Sequence, residues 1–197
     1  MKLKPIYLTA LFVLLNLFSG CSDEESNDQN EIDNNNYLSI DMKSIYGDFA
    51  KVYNNGDNIQ ADYGYSGTDV LTYFDINILD FSPQTFSIGF IKAVDGENFN
   101  FKSKQYNIGS FSLVNNDTPI FSANANIIIN EDYENSFWMD TNIEGEGYLK
   151  IINDNNLEHF FIEFDFTCYE YNFNSEGATL IAQARIKGGT KVKKRNS

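Results

Sequence analysis

Histidine occurs once, at His159, and cysteine twice, at Cys21 and Cys168, in a chain of 197 residues. That scarcity excludes a disulfide framework and a multi-histidine metal centre. A Ser-His-Asp triad has one candidate base and no motif around it. Proline, methionine and tryptophan are also sparse, at 3, 3 and 1. Positive charge is short: 14 Lys and Arg stand against 28 Asp and Glu, for a net charge of −14. Lys2 and Lys4 lie in the first twenty residues, which hold no acid, so the remainder has 12 bases against 28 acids and a net charge of −16. Such a charge repels nucleic acid and disfavours broad contact with anionic lipid heads. No Gly-rich phosphate loop and no EF-hand loop occurs, so no metal and no cofactor is assigned. The acidic turns near Glu131-Asp132 and at Asp154 offer at most a weak Ca²⁺ site through their oxygens.

What the chain does have is aromatics, 12 Tyr and 17 Phe. From Tyr37 onward they fall in short alternating runs punctuated by Asn, Asp and Gly, the pattern of strands joined by turns. Strands are expected at Tyr37–Met42, Asp48–Tyr53, Ile59–Tyr63, Val70–Asp80, Thr85–Ala93, Phe99–Lys102, Tyr106–Val114, Phe121–Ile129, Asn135–Ile143, Leu149–Ile151, His159–Tyr171 and Ala178–Lys187. In the last pair, Phe160, Ile162, Phe164, Phe166 and Cys168 face inward, as do Leu180, Ala182, Ala184 and Ile186. A two-residue turn at Asn155-Asn156 would set Ile151 opposite Phe160 and Leu149 opposite Ile162. Folding about an Asn172–Gly177 loop would set Asp165 opposite Arg185 and Glu163 opposite Lys187. Ala123 and Ala125 on one face imply something bulky above them. The expected fold is all-β, an antiparallel β-sandwich of about ten short strands, with a closed lipocalin-like barrel as the alternative.

The first residues read as a targeting segment. Lys2 and Lys4 precede an apolar run from Ile6 to Phe18, too short to span a bilayer and of the length of a signal peptide. It closes on Leu17-Phe18-Ser19-Gly20-Cys21, followed by Ser22-Asp23-Glu24-Glu25 and an acidic, Asn-rich stretch to Asn36 with no aromatic residue. The domain plan is thus 1–20 signal peptide, 21–36 disordered tether, 37–190 a single β domain and 191–197 a solvated basic tail with Lys191, Lys193, Lys194 and Arg195.

The run ending in Cys21 resembles the lipobox of bacterial lipoproteins, with Phe18 where such signals more often carry Leu. The acidic run after it is similar to the surface-export signal of Bacteroidota lipoproteins. The segments Gly147–Ile151, Phe164–Phe166 and Ala184–Gly189 resemble the closing hairpin of small domains of unknown function in such proteins. The resemblance implies a lipid on Cys21, an export signal in Ser22, Asp23, Glu24 and Glu25, and an outer-membrane location, at the cell surface rather than the periplasmic face. The membrane, through that lipid, is then one partner, and an unknown protein or glycan the other. The expected role is a non-enzymatic binding or adaptor domain; the alternative is a glycan-binding accessory lipoprotein of an uptake system.

No catalytic residue is assigned. Cys168, on the inward face, is a small core residue. Glu163 and Asp165 share a strand face at a spacing near that of glycosidase carboxylates, but basic residues on the next strand would keep both ionised. The candidate ligand-facing residues are aromatics at loops or outward positions: Tyr63, Tyr65, Tyr73, Trp138, Phe161, Tyr169 and Tyr171.

Overall fold

The computed structural model describes residues 36–54, 59–68, 71–80, 86–94, 103–114, 120–129, 136–142, 145–153 and 158–196. The signal segment, Cys21, the Ser22–Glu25 run, the tether, the strand expected at Phe99–Lys102, the Glu131-Asp132 and Asp154 turns and the Asn155-Asn156 turn lie outside them.

The described residues are nearly all strand: β1 (Tyr37–Ser44), β2 (Phe49–Tyr53), β3 (Ile59–Thr68), β4 (Leu71–Asp80), β5 (Phe86–Val94), β6 (Lys104–Ile108), β7 (Ile120–Ile128), β8 (Ser136–Asp140), β9 (Glu146–Ile152), β10 (His159–Asn174) and β11 (Gly177–Lys194). All eleven belong to one sheet, ordered β2-β1-β11-β3-β4-β5-β7-β6-β9-β10-β8, with β11–β10 and β7–β8 also paired. The all-β reading holds, and the ladders are antiparallel except at two places. There β11 meets β3 and β6 meets β7 in parallel, for two residue pairs each. With its strands joined through such short seams, the sheet is not a closed barrel.

The sheet folds over a single core, because alternation puts the apolar side chains of every strand on its inner side. The rings of Phe90 on β5 and Phe164 and Phe166 on β10 meet across it, at 5.2 and 5.4 Å. Ala123 lies directly opposite Phe90, so its small side chain leaves room for that ring, as its alternation with Ala125 implies. Each such Phe contributes roughly 2–3 kcal/mol by leaving water.

Thr141 knits the point where β6 leaves β7 and β8 takes its place. Fully buried, it donates its backbone N–H to the Ala123 carbonyl (3.1 Å). Its Oγ1 accepts from the Ala123 N–H (3.1 Å) and donates to the Gly109 carbonyl (2.8 Å). The strand expected over Tyr106–Val114 accordingly stops at Ile108. A single 3₁₀ turn, Phe111–Leu113, follows, with the Ser110 hydroxyl accepting from the Ser112 N–H.

Both registers expected at the C-terminal end are corrected by two residues. Leu149 faces Phe164 and Ile151 faces Ile162; Asp165 faces Lys187 and Thr167 faces Arg185. A two-residue slip keeps every side chain on its own face, so alternation cannot choose between such registers. For the β9–β10 pairing two local features do. Gly147, at φ +145°, lies against Phe166, and a Cβ there would stand 2.2 Å from the Asp165 carbonyl oxygen. Lys150 comes directly opposite Glu163, giving an ion pair at 3.1 Å. The supposed basic tail is also corrected: β11 continues through Gly188 and Gly189 to Lys194, burying Thr190 and Val192. Lys191, Lys193 and Lys194 do remain exposed. Arg195 is held against β3 and β4, donating to Asp62 at 2.7 Å and to Asp75 at 2.9 Å.

Candidate functional site

β10 carries two environments on one strand. As far as Cys168 its inner residues are buried and its outer carboxylates are paired. Glu163 binds Lys150, and Asp165 accepts two hydrogen bonds from Arg185, at 3.0 and 2.8 Å. The Arg185 hydrogen bonds hold the Asp165 carboxyl below its ordinary range. Asp165 is therefore unsuited to be the protonated acid that glycoside hydrolysis needs. Cys168 is fully buried and its thiol is pushed up to about 12 by burial, which removes the thiolate. His159 opens β10, half-buried, opposite Lys193. Among the described residues no cluster of His, Cys, Asp or Glu could hold a metal ion.

Past Cys168 the same hairpin leaves the body of the sheet. Residues 172–180 are exposed on both faces. A register change between Glu170 and Tyr171 makes Ile181 the extra residue of a β-bulge. The Ile181 carbonyl accepts from the Ile45 N–H at 3.0 Å, fixing the bulge to the β1–β2 turn. Beyond it, Tyr171 faces Leu180 and Phe173 faces Ala178, up to a two-residue turn in which Asn174 Oδ1 accepts from the Glu176 N–H.

The outer face of this ribbon is apolar and aromatic. Tyr169, Tyr171 and Phe173 follow one another at 6.3 Å between ring centres, tilted by 33° and 43°. Phe173 is 67 % exposed. β8 joins β10 beside them through the pair Tyr169–Asp140, and Trp138, two residues before Asp140, is 72 % exposed on the same outer side. Glu170 points to the inner side, where a cleft of about 430 Å³ opens between Tyr46, Phe137 and Ile181. Its carboxylate accepts from the Trp138 N–H at 3.0 Å. Burial raises the Glu170 carboxyl above its ordinary range, partly offset by that N–H.

Of the seven expected aromatics, the structure brings three together: Trp138, Tyr169 and Tyr171. Tyr63 is corrected to a core residue, 2 % exposed, its ring 5.0 Å from Phe160. Tyr65 shares its inward face and packs on Phe74 at 5.8 Å. Phe161 does stand on the outer side of β10 but is buried. Gly189, opposite Glu163 and Tyr37, has no side chain, and the Phe161 and Tyr37 rings close over that gap. Tyr73 faces outward and is half-covered by Phe111 of the 3₁₀ turn, at 6.0 Å. Phe173, Leu180, Ile45 and Tyr46, all exposed, escape a reading that takes 172–177 for a loop. The Asn174-Ser175-Glu176-Gly177 turn is the signal that extends the strand past them.

Together these define an all-β domain with a projecting aromatic ribbon. Comparison with protein families, with characterised proteins and with solved structures finds no match for the chain.

Proposed function

We propose that the chain is a lipid-anchored envelope protein, held by Cys21, whose β domain is a non-enzymatic binding or adaptor module. The export run Ser22–Glu25 directs it to the outer surface of the outer membrane, and the tether to Asn36 joins the domain to the lipid. The observation that carries the binding role is the outward ladder of Tyr169, Tyr171 and Phe173 beside Trp138. Phe173 and Trp138 stand in water, with Tyr169 and Tyr171 half-buried beside them, and large exposed rings cost solubility unless a partner covers them. Tyr and Trp give large contact area at low entropic cost.

Trp138 is the only tryptophan, so its fluorescence reports directly on the ribbon. Titration with solubilised outer-membrane proteins is expected to shift its emission to the blue, and Tyr171→Ser with Phe173→Ser to abolish the shift. An emission unchanged by any envelope fraction removes the ribbon from the binding role. Protease shaving of intact cells, with a periplasmic control protein left whole, tests the location: loss of the domain supports surface display, protection places it in the periplasm. A glycan ligand is the second reading, favoured by the shallow tilts that align the three rings as a stacking platform. Quenching of Trp138 by oligosaccharides, without any protein, selects it.

A further inference from the structure

We propose that the cleft between β11 and β3, remote in sequence from the aromatic ribbon, binds phosphoryl groups. β1 pairs with β11 as far as Gly189, and β3 joins β11 only at Lys193. The wedge left between them has a volume of about 680 Å³. Lys191, Lys193 and Lys194 line one wall, and the Gln60 and Asn77 amides stand on the other. Among the described residues, no carboxylate lies within 4.0 Å of any of these three ammonium groups.

The acids nearby are already taken. Asp62 and Asp75 both accept from Arg195, which lies flat over Gly64. The charge is also segregated along the chain: after Glu176 there is no acid, while 6 of the 14 Lys and Arg follow it. In a protein of net charge −14, three lysines that line one cleft with no carboxylate against them leave local positive charge there, with acids to spare elsewhere. A bound polyanion neutralises that charge. A phosphoryl group offers three acceptor oxygens and up to two negative charges, matching three point-charge donors better than a single carboxylate does.

The phosphoryl group has two sources. Asn36 also lines the cleft. On the lipoprotein reading above, on which this source alone rests, the anchored Cys21 lies upstream of Asn36 on a short tether, bringing lipid headgroup phosphates within reach. The other source is a free phosphorylated solute.

The test uses the compact unit 34–197, which contains the whole core. Titration calorimetry with inorganic pyrophosphate is expected to show binding. Lys191→Gln/Lys193→Gln/Lys194→Gln should weaken it by about tenfold or more. Lys43→Gln/Lys104→Gln/Lys187→Gln, which removes the same charge elsewhere, should leave it nearly unchanged, and both variants should melt with the parent. Flotation with vesicles of phosphatidylglycerol and phosphatidylcholine, against phosphatidylcholine alone, separates the sources. Pyrophosphate binding with lysine-dependent flotation on the anionic vesicles identifies a lipid headgroup, and pyrophosphate binding without it a solute. Absence of pyrophosphate binding, or equal binding by the two triple variants, overturns the proposal.

Discussion

Residues 160–168 and 169–173 of β10 share one alternation and have opposite fates. In the first stretch β9 and β11 flank the strand, the rest of the sheet covers its inner face, and outer charges pair across strands. In the second, β9 is gone, β8 touches at one residue pair, and the strand runs on past the core with rings outward. Alternation says which side chains share a face. Only the neighbours say whether that face is covered.

Core substitution should open the widest gap between the two stretches. Phe164→Ala, at the contact with Phe90, is expected to cost about 3–5 kcal/mol in urea unfolding. Phe173→Ala should fall within about 0.5 kcal/mol of the parent. Equal costs would mean that the ribbon is folded into the body and not projecting.

Gly147→Ala comes next. Positive φ alone costs about 1–3 kcal/mol, and the added Cβ runs into the backbone of Asp165 and Phe166. A loss well above that of an ordinary surface change is expected. A neutral result would overturn the register that places Gly147 against Phe166.

Acid titration then distinguishes the two stretches by sign. Asp165 has a folded value below its ordinary 3.8, so its stabilisation is complete above that pH and is lost as pH falls through the folded value. Asp165→Asn should flatten the acid limb of the stability profile. Glu170 is raised above its ordinary 4.5, so its contribution is complete below that pH and is lost as pH rises through the folded value. Glu170→Gln keeps an acceptor for the Trp138 N–H and should remove that decline. Profiles shifted the same way by both substitutions would contradict the two environments. The smallest effect is Phe173→Ala itself, whose value lies in leaving stability intact while weakening whatever binds Trp138.

The hairpin also shows how far the sequence could be read. Phe160 to Cys168 were legible as a buried face because period 2 fixes facing, and the Asp165–Arg185 pair was legible because the long Arg185 side chain reaches Asp165 diagonally across the slip. The register was not. A slip of two residues changes no facing, and the features that decide the β9–β10 register, the close approach at Gly147 and the Lys150–Glu163 pair, arise only once those strands are paired. Tyr63 and Phe161 were misplaced for the same reason: one lies across the core from Phe160, the other over Gly189, which is distant in sequence.

The sequence by itself determined that this protein is built of strands, which residues of each strand share a face, and where its first strand, Tyr37–Ser44, begins. Those are consequences of local backbone geometry and side-chain period. Tertiary structure alone decided that the eleven described strands form one sheet, that β11 runs on to Lys194, and that Phe173 stays exposed. Each of these depends on which distant strand supplies the next hydrogen-bonding edge, and no local pattern encodes that.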